Sequence, residues 1–253
     1  MFDVTVILNL YRRPQNLARQ IEALRNQTFP PKEIWVWING HPDNSDLVLE
    51  YLDVDRTIDC SVNFKFFGRF AGALLTDTKY VAVFDDDTIP GPKWFENCMD
   101  TYCKLEADGY QTPILGSAGV ILNSFRYENH TRSGWPAENK DPQRVDLVGH
   151  AWLFNRECLS HLWREKPYTW DNGEDIHFSY CAQKYGNVQT FCPPHPPGEP
   201  DKWGSIHAVE LGTDAVATSN NTWLSHNLFF SQRDKVVRNA ISGGWKTVKN
   251  VTI

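Results

Sequence analysis

Tyr80-Val81-Ala82-Val83-Phe84-Asp85-Asp86-Asp87-Thr88-Ile89-Pro90 joins five uninterrupted apolar residues to three consecutive carboxylates. An apolar run of this length, closed by the Pro90-Gly91-Pro92 turn, predicts a strand buried on both faces. The carboxylates then stand at its C-terminal end, where open α/β sheets bind their ligands. Three adjacent carboxylates repel one another, so a site that keeps them ionised calls for a cation. Hard divalent ions such as Mg²⁺ or Mn²⁺ take oxygen ligands and commonly share their coordination with substrate phosphates. The competing reading is a solvated acidic turn, and the rest of the chain weighs against it.

Upstream, Val4 to Leu8 predicts a first buried strand, and Pro14 suits the first position of a helix whose Leu17, Ile21 and Leu24 recur at helical spacing. Ile34 to Ile38 predicts a second strand, closed by Asn39-Gly40. Strand, helix and strand in so few residues make a βαβ unit and hence a parallel sheet. Ser45 or Asp46 suits the cap of a short helix through Leu52. A third strand is expected over Ser61 to Phe67, then a Gly-rich helix over Gly68 to Leu75.

Downstream, Pro92 to Ala107 predicts a helix with Trp94, Phe95, Met99 and Tyr102 on one side, and Ile114 to Leu122 a strand. Asn123 to Arg144 is polar and reads as a long irregular loop. Val145 to Phe154 returns as a strand, and Asn155 opens a helix. The Asn172-Gly173 turn puts Glu174-Asp175 in the first turn of the next helix, where the dipole favours ionised carboxylates. Pro193 to Gly198 is a rigid connector, and a basic helix runs through Arg233 to Arg238. These readings predict an α/β chain forming one domain over residues 1–253, with a mostly parallel central sheet and helices on both faces.

Composition narrows the class. Hydrophobic residues are 41% and charged ones 22%, an ordinary globular balance, and a net charge of -6 argues against non-specific nucleic-acid binding. Ten Trp leave some available to line a binding surface. Cys60, Cys98, Cys103, Cys158, Cys181 and Cys192 form no C-x-x-C pair, so free buried thiols are expected and a zinc site is not. Sequons begin at Asn26, Asn129, Asn220 and Asn250, a pattern too short to prove secretion. No apolar stretch approaches the ~20 residues of a membrane span. With no signal-like run before the first strand, the expectation is a cytoplasmic protein or the lumenal catalytic domain of a Golgi or ER enzyme cut from its anchor.

In their order along the chain these motifs resemble a GT-A glycosyltransferase, the nucleotide-sugar-dependent fold, and most closely its exostosin-like and related inverting members. The resemblance covers about residues 3–240. It implies that Leu10, Tyr11 and Arg13, in the turn after the first strand, hold the nucleobase, with Asn39 near a uracil and Arg69 approaching the nucleotide. Asp85-Asp86-Asp87 corresponds to the DXD motif, whose last member, Asp87, ligates a Mn²⁺ (or Mg²⁺) bridging the diphosphate. Asp85 would meet ribose or metal-bound water. Gly149-His150-Ala151-Trp152 matches the strand beside the donor sugar, and Glu174-Asp175 the acidic pair facing the acceptor. A late histidine often completes the metal shell in such enzymes, with His226 and His207 as candidates, and Arg233 corresponds to an arginine brought to the reaction centre by a C-terminal helix. Residues 1–110 would form the nucleotide-sugar half and 111–253 the acceptor half. The implied activity is hexosyl or pentosyl transfer from a UDP-linked donor to a hydroxyl of a glycan or glycoconjugate.

The chemistry suits these residue types. A cation at Asp87 would stabilise the charge developing on the leaving diphosphate; in an inverting enzyme Asp175 or Glu174 would take the acceptor's proton, and in a retaining one the same carboxylate would steady the acceptor or an oxocarbenium-like state. Two alternatives remain. One is a GT-A protein that binds carbohydrate or nucleotide without turnover. The other is a phosphatase of the haloacid dehalogenase type, whose D-x-D-x-[TV] pattern fits Asp85 and Asp87 but meets Ile89 at its last position, on a fourth strand rather than a first. No G-x-x-x-x-G-K-[ST] occurs, which excludes a P-loop enzyme.

Overall fold

The computed structural model describes residues 2–44, 52–211 and 223–253. The expected helix cap at Ser45 or Asp46 lies outside the described residues. Four parallel strands form one side of a mixed sheet: β1 (Phe2–Leu10), β2 (Pro31–Ile38), β3 (Arg56–Asp59) and β4 (Tyr80–Phe84), in the spatial order β3-β2-β1-β4. The other side holds β5 (Ile114–Leu122), β6 (His130–Gly134), β7 (Gln143–Val145), β8 (Leu147–Asn155) and β9 (Thr190–Cys192). Here β8 lies antiparallel between β4 and β5, β9 runs parallel to β5, β7 closes the edge, and β6 hairpins onto β5.

Alternation along the central strands feeds two separate cores, as a strand of period two must when both faces are covered. Val4, Val6 and Leu8 of β1 and Tyr80, Ala82 and Phe84 of β4 face α1 (Leu17–Arg25) and α3 (Trp94–Ala107), meeting Leu17, Ile21, Leu24, Trp94, Phe95 and Tyr102. Ile7, Val81 and Val83 face the opposite way, toward Phe70 of α2 (Gly68–Ala73), Leu159 and Leu162 of α4 (Leu159–Leu162) and Phe178 of α5 (Glu174–Gly186). Each such side chain contributes about 1.5–3 kcal/mol when fully buried. The short helix α6 (Ala208–Leu211) precedes α7 (Trp223–Ser242) in the chain, and a third cluster seats α7 on α5 through Val236, Val237, Ile176 and Tyr180.

Two expectations need correction. The third strand is Arg56–Asp59, and Ser61 to Phe67 is a run of turns. Its backbone donors go to side chains instead of a ladder: Phe64 N donates to Asn39 Oδ1 at 3.1 Å and Lys65 N to Asn63 Oδ1 at 2.7 Å. The polar segment 123–144 is not irregular throughout, since it contains β6 and most of β7. Both are short strands with polar side chains, so their pairing rests on backbone hydrogen bonds that no hydrophobic period announces. The Asn155 cap is as expected, its Oδ1 accepting from Glu157 N at 3.0 Å. All six cysteines are free, five of them buried. Among the described residues no helix is long and apolar enough to cross a membrane.

Candidate active site

The first wall of the site follows from strand register. Leu8 of β1 stands beside Phe84 of β4, so both strands release their chains at the same level. The residues after β1 therefore meet the carboxylates after β4. Asp86 turns back into the protein: its Oδ2 accepts from Tyr11 N at 3.1 Å, its Oδ1 pairs with Arg13 at 2.6 Å, and its carbonyl accepts from Asn16 Nδ2 at 2.9 Å. Gln20 clamps the turn from α1, donating to the carbonyls of Asp85 at 2.8 Å and Thr88 at 2.9 Å. Burial raises the Asp86 carboxyl to about 7, outweighing Arg13.

Asp85 and Asp87 face the cleft together with His150. Antiparallel pairing sets Ala151 of β8 opposite Phe84, which brings His150 next to the triplet, and Asp85 N donates to the His150 carbonyl at 2.9 Å. One ligand atom from each of Asp85, Asp87 and His150 lies within 4.8 Å of the others. His150 Nδ1 is 3.8 Å from Asp87 Oδ1, and the Trp135 ring packs edge-on against the imidazole with centroids 4.8 Å apart. Burial would raise Asp87, but the hydrogen bond and charge of His150 hold it low; burial would lower His150, and Asp87 keeps it high. Burial also raises Asp85, against the pull of Arg69. His150 holds this place with a φ of 65°, a left-handed conformation unusual outside glycine.

The second wall comes from α5 and α7. Gly173, at φ 81°, turns the chain into α5 and starts it with Glu174-Asp175 at the helix N-terminus. Arg69, buried at 2% exposure, spans the two walls, pairing with Asp85 and, at 3.0 Å, with Glu174 while lying over the Trp152 ring at 4.9 Å. Burial and the neighbouring Asp175 charge raise Glu174 to about 7. On α7, Arg233 pairs with Asp175 at 2.5 Å, donates to Asn172 Oδ1 at 3.0 Å, and covers the Tyr127 ring at 3.9 Å. Burial alone would lower the Arg233 guanidinium's pKa, and Asp175 raises it instead.

These groups line one cleft of about 290 Å³, which gathers Tyr11, Arg13, Arg69, the three Asp residues, Glu174, Asp175 and Arg233. Leu10 and Asn39 are not on it. Leu10 is a core residue, and Asn39 is buried beneath, accepting from Trp37 Nε1 at 3.1 Å and donating to Asn9 Oδ1 at 3.2 Å, so that Asn9 is the amide presented to the cleft. His226 falls where side chains are not among those described. His207 pairs with Glu210 at 3.4 Å beside a separate depression at Pro90 and Ile206. The histidine in the acidic cluster is His150, which the sequence had only alongside a donor sugar. Tyr127, Asn172 and Arg132 also line the cleft and carried no motif.

The model of glycosyl transferase family 2 matches residues 5–163, more than half of the chain. The glucosyl-dolichyl phosphate glucuronosyltransferase of Haloferax volcanii is 29% identical over 105 residues, covering 39% of this chain and 34% of that protein. An uncharacterized glycosyltransferase of a Nostoc species is 23% identical over 201 residues, covering 74% of this chain and 61% of its own. The crystal structure of Staphylococcus aureus TarS, residues 1–349, shares the fold with a TM-score of 0.51 at 15% identity, over 77% of this chain and 60% of that one. This chain thus spans less than two thirds of the length of each. With the strand-end carboxylates, the mixed sheet and the family match in agreement, the chain belongs to glycosyl transferase family 2 and has a GT-A type fold.

Proposed function

We propose that this protein is a metal-dependent glycosyltransferase that moves a sugar from a UDP-linked donor to a hydroxyl of a glycan or glycoconjugate. The observation that carries the reading is Arg69, which joins the Asp85 side of the cleft to the Glu174 side and so builds the strand-end carboxylates and the acidic pair into one site. The narrower likeness to exostosin-like enzymes is supported by Arg233, delivered to Asp175 by the C-terminal helix.

Two carboxylates and an imidazole within 4.8 Å of one another are a donor set that fits Mn²⁺, or Mg²⁺ with more water. Asp85, Asp87 and His150 would hold the ion, which when bound supplies Lewis-acid stabilisation of the leaving diphosphate. Asp86, anchored by Tyr11 and Arg13, fixes the turn that presents the other two. Asp175 is the proton acceptor. It takes the proton of the acceptor hydroxyl as that oxygen bonds to the anomeric carbon, while the bond from this carbon to the phosphate oxygen breaks and its electron pair leaves with the nucleotide. Arg233 orients Asp175, and Glu174 positions Arg69. A base on the acceptor side belongs to displacement with inversion.

Calorimetric titration of UDP with and without Mn²⁺, on wild type and Asp87→Ala, tests the site. The expected result is Mn²⁺-dependent binding that weakens by on the order of a hundredfold or more in the variant. Binding of GDP alone would replace the nucleotide and keep the site; binding of neither would sink the reading. A donor panel follows, including UDP-hexuronates because the Haloferax relative is named for glucuronosyl transfer. Nucleotide binding with no turnover of any donor would favour a catalytically silent binding protein.

A further inference from the structure

A row of residues crosses the cleft floor on three strands. Arg132 of β6 is directly opposite Val120 of β5, and Val120 is opposite Leu147 of β8. Opposed residues on paired strands point to one face, and all three line the cleft. In the next row, toward the triplet, Ala118 is opposite Gly149, and nothing lies within 4 Å of where a Gly149 side chain would begin. His150 follows directly. The floor between the Asp85–Asp87–His150 cluster and Arg132 is therefore paved with small residues and open above, which leaves room for a sugar ring.

The charges of the cleft single out the same residue. Arg13 is engaged by Asp86 and Asp87, Arg69 by Asp85 and Glu174, and Arg233 by Asp175. Among the described residues Arg132 is the cleft guanidinium with no carboxylate partner. A solvated strand charge would explain an arginine on the outer face of β6, but this one is partly buried and turned to the cleft. A guanidinium is a planar fork matched to carboxylate or phosphate oxygens.

We propose that Arg132 selects the substrate, receiving an anionic group, carboxylate or phosphate, carried close to the reacting carbon by the donor sugar or by the acceptor. This rests on the glycosyltransferase reading above. The group differs from the nucleotide's own diphosphate, which belongs to the other end of the floor.

The test uses wild type, Arg132→Gln and Arg132→Lys. UDP is first titrated with Mn²⁺, and its affinity is expected to agree within about twofold across the three proteins, which also shows that the variants are folded. Transfer is then compared for a UDP-hexose against the matching UDP-hexuronate, and for an acceptor with and without a phosphate. Wild type should prefer the anionic member of one pair. Arg132→Gln should lower kcat/KM for that member by on the order of ten- to a hundredfold, the worth of a charge-assisted hydrogen bond, with Arg132→Lys in between. A preference in the donor pair assigns a sugar carboxylate, and one in the acceptor pair an acceptor phosphate. No preference in wild type, or a preference that survives Arg132→Gln, overturns the proposal. Loss of UDP affinity in Arg132→Gln also overturns it and gives the residue to the diphosphate. Wild type that binds neither UDP nor GDP fails earlier, at the reading of the site itself, and is told apart by that first titration.

Discussion

On the wall built by β1 and β4, Asp86 receives a backbone N–H from Tyr11 and a guanidinium from Arg13, and the turn that carries it is clamped through its own carbonyls by Asn16 and Gln20. On the wall built by α5 and α7, Asp175 is held by one side chain of the neighbouring helix, Arg233, whose position depends on the packing of Val236 and Val237 against α5. The first arrangement fixes the backbone and leaves little to adjust. The second joins side chains between two helices, so its geometry can change with the residues that seat α7. Under the proposed function the nucleotide, common to many donors, would suit the fixed wall, and the acceptor, which varies, the adjustable one.

The contrast is most sharply tested at Asp175. Asp175→Asn should lower kcat by about 10²–10⁴-fold, the usual worth of a general base, and leave Mn²⁺-dependent UDP affinity unchanged. A parallel fall in UDP affinity, measured by calorimetry, would break the division between the walls. Arg69→Met comes next. It strands the buried Glu174 carboxylate and the partly buried Asp85 without their shared cation and should cost about 3–5 kcal/mol of unfolding free energy in urea titrations. A loss below about 1 kcal/mol would mean that the two walls are independently stable.

The smallest effect is expected at Glu174. Its carboxyl is raised to about 7 from an ordinary 4.5 by burial, so the fold favours its protonated form. That contribution is fully present below pH 4.5 and is lost as pH rises through about 7, amounting to about 3 kcal/mol. Glu174→Gln removes it, so unfolding measured at pH 5 and pH 8 should differ less in the variant than in wild type. Equal differences would show that Arg69 keeps Glu174 ionised throughout.

Much of the first wall could be read from residues alone. Apolar runs of β1, β2 and β4 are buried on both faces and leave an unbroken signal, and the carboxylates after β4 are where such a strand must end. Arg69, Glu174, Asp175 and Arg233 were likewise assembled from motif order, and the cleft contains all four. His150 was harder, because its place depends on β8 running antiparallel beside β4, a pairing between residues some seventy positions apart that no local pattern encodes. Arg132 and Tyr127 were hidden by the polar character of 123–144, where pairing rests on backbone groups. Leu10 and Asn39 lie off the cleft beside residues that line it: Leu10 follows Asn9 and precedes Tyr11 in the chain, with strand alternation turning it into the core, and Asn39 sits beneath Asn9, donating to its Oδ1. The misplaced third strand has a similar origin, since the Phe residues of 61–67 alternate around a turn.

The left-handed backbone of His150 bears on any attempt to evolve this protein for heat resistance. A histidine in that conformation costs about 1–2 kcal/mol that glycine would not incur. Selection on survival alone would set that gain against the pairing of the imidazole with Asp87, and wherever the gain wins, His150→Gly removes the imidazole from the acidic cluster. A library sorted only by thermal tolerance would be blind to that loss, so under the proposed function each round needs a simultaneous screen for sugar transfer.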